Sequence, residues 1–138
     1  MPMLRRTIAL AAVALATGGC QGGIAGSSDL IAGVYTLQTA NGQPLPYLIV
    51  FIDADNKLEF GSGTVAINDD GTFVDSATLL VTQAGVQTSE TQVVSGNWTQ
   101  HGSTITFTPT DGEPYTMAWN GSNRLTQGFQ DVTLAYVR

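Results

Sequence analysis

The sequence predicts an all-β fold, an antiparallel up-and-down meander of eight or nine strands that closes into a small barrel. Three observations predict it. From residue 30 onward no apolar run repeats with a helical period. Short runs rich in Val, Ile, Thr, Tyr, Phe and Trp recur instead, the residue types that suit a pleated, half-buried surface. Tight turn signals separate these runs, and connections that short leave no room for crossover helices, so sequence neighbours must run antiparallel.

The first strand is expected over residues 32–39, with Tyr35 and Leu37 on one face. Asn41-Gly42 ends it, because both positions of a two-residue hairpin turn need residues that tolerate positive φ. Pro44 and Pro46 open the next segment, where a missing backbone donor does little harm, and residues 47–53 follow as a nearly continuous apolar strand. A turn at residues 54–56 leads into a strand over 57–67, in which Gly61 and Gly63 suggest a bend or bulge. Asp69-Asp70-Gly71 turns the chain into residues 72–83, and Ala84-Gly85 turns it into 87–99. His101-Gly102, Asp111-Gly112 and Asn120-Gly121 then separate strands over 103–108, 115–119, 124–126 and 131–137.

So long a meander must close on itself or expose two edges. Eight strands close comfortably with an interior that side chains just fill, which favours a barrel over a two-sheet sandwich. The expected filling is Tyr35, Leu37, Ile52, Phe60, Ile67 and Phe73, then Leu79, Trp98, Ile105, Phe107 and Tyr115, then Met117, Trp119, Leu125, Leu134 and Tyr136. Side chains of that bulk imply a mostly solid interior with a shallow cup at one end. The alternative is a ligand cavity lined by Trp98, Tyr115, Met117 and Trp119.

The start of the chain has a different character. Arg5-Arg6 precede an apolar run over residues 8–16 and then Thr17-Gly18-Gly19-Cys20. A basic start, a short apolar middle and small residues before a cut are the layout of a secretory signal peptide, and nine apolar residues are too few to span a bilayer. Cys20 is the sole cysteine, so the chain has no disulfide framework. The segment resembles a bacterial lipoprotein signal, although Thr17 and Gly18 stand where that pattern prefers Leu and Ala or Ser. The resemblance implies cleavage after residue 19 and acylation of Cys20. Gln21, rather than Asp, after the cysteine implies sorting to the outer membrane. Residues 20–30, rich in Gly and Ser, then read as a flexible tether to a barrel domain at 31–138.

Beyond the leader, Lys57, Arg124 and Arg138 stand against eleven acids. So acidic a domain is not expected to bind nucleic acid, nor anionic lipid by charge. Membrane attachment would come from the acyl chains on Cys20.

Two stretches carry a family likeness. Gly33-Val34-Tyr35-Thr36-Leu37 with Asn41-Gly42-Gln43-Pro44-Leu45-Pro46 is one, and Ser95-Gly96-Asn97-Trp98-Thr99 with Gly102 to Thr108 is the other. Together with Leu125 and the closing Val132-Thr133-Leu134-Ala135-Tyr136, they resemble the small lipocalin-like β-barrels of bacterial envelope proteins. The likeness implies a lipocalin-like barrel that binds a small hydrophobic ligand. It carries no catalytic motif.

Candidate chemistry is sparse. The single histidine, His101, lies in a turn with no marked nucleophile or orienting acid around it, and one histidine with a lipidated cysteine cannot assemble a zinc set. Asp53, Asp55, Asn56 and Glu59 could offer oxygen ligands to calcium, but the glycine at the bend and the distant bidentate Glu of a calcium loop are missing, and Asp and Asn are ordinary turn residues. Asp75 is the odd acid. It shares parity with Phe73, Ala77, Leu79 and Val81, so it lies near the barrel mouth or is partnered inside, unless a bulge turns it to water. No metal, cofactor or catalytic residue is expected. The reading is a non-catalytic, lipid-anchored binding module for a small hydrophobic ligand. The competing reading is a protein-interaction module of the envelope, such as a hydrolase inhibitor.

Overall fold

The computed structural model describes residues 30–138, of which residues 31–138 form one compact unit. The expected signal peptide, Cys20 and nearly all of the tether lie outside the described residues.

Ten strands follow one another: β1 Gly33–Ala40, β2 Gln43–Pro44, β3 Tyr47–Asp53, β4 Asn56–Ile67, β5 Thr72–Gln83, β6 Val86–His101, β7 Thr104–Pro109, β8 Tyr115–Trp119, β9 Arg124–Phe129 and β10 Val132–Val137. All pairings are antiparallel. From β4 to β10 each strand pairs with the next, β10 pairs with β1, and β1 pairs with β4. The meander therefore closes as an eight-stranded barrel, with β2 and β3 outside the ring. The turns follow the residues that mark them: Asn41 and Gly42 have φ of 51° and 75°, and Ala84 and Gly85 have 51° and 78°.

The departure from a plain meander lies at β2 and β3. Only Gly33 to Thr36 of β1 pair with β4, opposite Thr64 to Ile67. Beyond that point β1 leaves β4 and carries β2 on its flank, at Thr39 and Ala40. β3 takes the vacated edge instead, pairing with the first half of β4 from Tyr47↔Phe60 to Asp53↔Asn56. Being outside the ring, β3 does not bury its apolar run: Ile52, expected inside, is 74% exposed, and Phe51 is 60% exposed.

Strand length adds a second asymmetry. β4, β5 and β6 run for 12, 12 and 16 residues, against 5 or 6 for β7 to β10. β7 pairs with β6 only from Gly96 to His101, so residues 86–94 of β6 have β5 as their one strand partner among the described residues. One side of the barrel thus rises past the other.

The core fills the short end. Tyr35, Val65, Ile67, Phe73, Ile105, Phe107, Met117 and Leu125 are almost completely buried there, with Trp98 and Trp119 beside them. Phe73 meets Phe107 edge-on at 4.9 Å, a favoured aromatic arrangement. The Trp98 indole N–H donates to the Asn68 carbonyl at 2.8 Å. The Tyr35 hydroxyl donates to the Ile31 carbonyl at 2.6 Å, and the Arg138 guanidinium lies over the Tyr35 ring while donating to the carbonyls of Ala32 and Ser122. First and last strands are thereby tied together. Gly96 is fixed by proximity, since a Cβ there would fall 2.1 Å from the Thr108 carbonyl oxygen.

A bulge sets which side chains of β4 enter the barrel. Phe60 pairs with Leu79 and Ser62 with Thr78, leaving Gly61 as the extra residue. Phe60 and Val65 are an odd number of positions apart and would face opposite sides of a regular strand. The bulge lets both face inward. β5 has no register shift, so Asp75 keeps the inward parity of Phe73 and lies level with Val65 and Val94.

Candidate functional site

Above the packed core the barrel is hollow. A cavity of about 460 Å³ opens at the end where β1 has left the ring, within the size range of small-molecule sites. Its walls are apolar: Ile49 of β3, Leu58 and Phe60 of β4, Ala77 and Leu79 of β5, Val94 of β6, and Phe129 and Leu134 of β9 and β10. Phe60 and Phe129, on strands that are not neighbours, touch ring to ring at 6.0 Å and bridge the gap left by β1. Gln92, Gln127 and Gln130 supply polar groups to the lining.

The hollow follows from residue size. At the level above Asp75, Ala77 pairs with Gly63 on one side and Gln92 on the other. No large apolar side chain is available at that level. Gly63 is already packed against Leu37, so the space lies toward Ala77.

Where cavity meets core there are three polar side chains: Asp75, Tyr115 and Tyr136. Tyr115 stacks on Phe107 with centroids 5.3 Å apart, which sets its depth. Its hydroxyl donates to Asp75 Oδ2 at 2.7 Å. The other carboxylate oxygen makes no hydrogen bond to any described residue. Tyr136 is only 3% exposed, and its hydroxyl makes no hydrogen bond to any described residue either. Burial raises the Asp75 carboxyl above the usual carboxylate range, and the hydrogen bond from Tyr115 offsets part of the rise. Burial, followed by the nearby Asp75 charge, also raises both phenols, so they stay protonated and remain donors at neutral pH. The arrangement places a carboxyl group and a hydroxyl at the bottom of an oily cup.

Of the residues expected to line a ligand cavity, only Tyr115 does so. Trp98, Met117 and Trp119 belong to the packed core at the other end. They share the inward parity of Tyr115 but sit on the wrong side of it along the barrel axis, which parity alone does not reveal. Asp75 is partnered inside. Tyr136, Phe129 and Ile49 enter the site through ring closure and the displaced β3. Their sequence signal was no more than an inward parity for Tyr136 and an apolar run for Ile49.

The other candidates stay apart from the cavity. His101 is exposed at the end of β6. Asp53 Oδ1 accepts hydrogen bonds from the Asp55 backbone N–H and the Asn56 side chain, and so closes a turn. Among the described residues no three His, Cys, Asp or Glu side chains come together as a metal-ligand set.

Comparisons with protein-family models, with curated proteins and with solved structures give no match to this chain.

Proposed function

We propose that this chain is a lipid-anchored envelope protein, attached through Cys20, whose barrel is a non-catalytic binding module for a small hydrophobic ligand. The cavity carries this reading. An apolar cup with a few convergent polar groups is the general form of a small-molecule site, and here it lies apart from the packed core. The leader supports the address, and the resemblance to lipocalin-like envelope barrels supports the mode of binding.

The test fills the cup. Ala77→Trp places an indole in the cavity without touching the core beneath it. The wild-type domain is expected to bind the uncharged dye Nile red saturably at one site, and Ala77→Trp to abolish that binding with the circular dichroism spectrum intact. Equal dye binding by the two proteins would place the dye elsewhere and end this reading.

One observation favours the competing reading of a protein-interaction module. Leu48, Val50, Phe51 and Ile52 of β3 are exposed, and β3 pairs among the described residues with β4 alone. An apolar edge strand is a template for another chain. A stoichiometric envelope protein captured by the wild type but not by Phe51→Lys would favour it.

A further inference from the structure

Resting on the cavity's reading as a ligand site, we infer that its ligands are apolar molecules bearing a hydrogen-bond-donating, cationic end, namely primary amines, and that fatty acids are rejected.

Two independent observations point there. First, among the described residues the only charged side chain lining the cavity is Asp75, and just one of its oxygens is used, by Tyr115. With Asp75 ionised, its free oxygen accepts and does not donate. A ligand carboxylate placed against it would meet like charge in a site of reduced dielectric, whereas an ammonium would meet opposite charge. Second, the Tyr136 hydroxyl is held in a nearly buried side chain, lines the same cavity and has no partner among the described residues. A hydroxyl that faces a cavity with no protein partner is open to a polar atom that is not part of the protein. An ammonium group has three donors. One can meet Asp75 Oδ1 and another the Tyr136 oxygen, while the hydrocarbon lies along Phe60, Leu79 and Leu134. The field of the whole domain acts in the same direction, because the acids far outnumber the three cations beyond the leader.

A matched series separates the head group from the chain. Octylamine, octan-1-ol and octanoate differ only at one end and are measured by calorimetry at neutral pH. Octylamine is expected to bind about tenfold or more tightly than octanoate, with octan-1-ol between them. Asp75→Asn, which keeps an acceptor for Tyr115, is expected to remove the preference for octylamine over octanoate. Tyr136→Phe is expected to weaken octylamine and octan-1-ol by about fivefold each, the loss of one hydrogen bond. Equal affinity for the three heads, or tighter binding of octanoate, would overturn the ligand class and leave the cavity reading intact. No binding of any octyl compound or of Nile red would overturn both. The wild-type ratio decides the point by itself, whatever happens to the folding of the variants.

Discussion

The two ends of this barrel are built from the same strands and behave oppositely. At the short end eight strands hydrogen-bond all the way round, with β1 and β4 closing the ring, and Phe73, Phe107, Ile67 and Leu125 fill it. At the long end β1 has left, β3 stands outside and the interior is hollow. What differs is the size of the inward residues and the completeness of the ring, not the strand propensity. A small β-barrel has room for one well-packed level of aromatics over its short strands. Where β4 to β6 outrun β7 to β10, fewer facing side chains remain to meet theirs. The closed end holds the packed core and the open end holds the cavity.

The sharpest way to break this comparison is to make equivalent deletions at the two ends. Phe107→Ala removes a fully buried ring in contact with Phe73 and Tyr115 and is expected to destabilise by about 4 kcal/mol. Leu79→Ala trims a half-buried wall residue that already faces empty space, and is expected to cost about 1 kcal/mol. Urea denaturation of both variants gives the two values directly. Similar losses would mean that the cup is as tightly integrated as the core.

Gly96 tests the closed end through the backbone instead. A methyl group there would overlap the Thr108 carbonyl and approach the Pro109 Cα to 2.8 Å, so β6 and β7 would have to part. Gly96→Ala is expected to destabilise by about 3 kcal/mol, the upper range for overpacking. A thermal midpoint within a degree or two of wild type would show that the strand pair gives way without strain.

How legible these features are in the sequence follows from the range of the interactions behind them. Turns are local: Asn41-Gly42 and Ala84-Gly85 announce themselves because φ is set by the residue at that position. Inward parity is nearly local, which is why Tyr35, Phe73, Ile105 and Leu134 are readable as core. The displacement of β3 is not local. It depends on β1 parting from β4, a pairing between segments some thirty residues apart, and Ile52 is the residue that exposes the error. The site divides in the same way. Asp75 stands out by parity, and Tyr115 by being aromatic on an inward face. Their meeting, 40 residues apart in sequence at 2.7 Å, depends on the ring having closed. Trp98 and Trp119 mislead because a strand pattern gives the face of a residue but not its height along the barrel.

The smallest expected effect sharpens the comparison most, since it concerns a residue the open end holds against its own stability. Burial raises the folded-state pKa of Asp75 above its unfolded value of 3.8. Between those two values the native state binds more protons than the unfolded chain, so this residue makes stability fall as pH rises. Its contribution is fully present below 3.8, where both states are protonated, and is lost as pH rises through the folded-state pKa. Asp75→Asn has no such titration and keeps an acceptor for the Tyr115 hydroxyl. The variant is therefore expected to melt slightly above wild type at neutral pH, with the gap narrowing as the pH is lowered toward 3.8. Melting curves in closely spaced acidic to neutral buffers would show this. A constant gap, or a less stable variant at neutral pH, would mean that the carboxylate is stabilised where it stands.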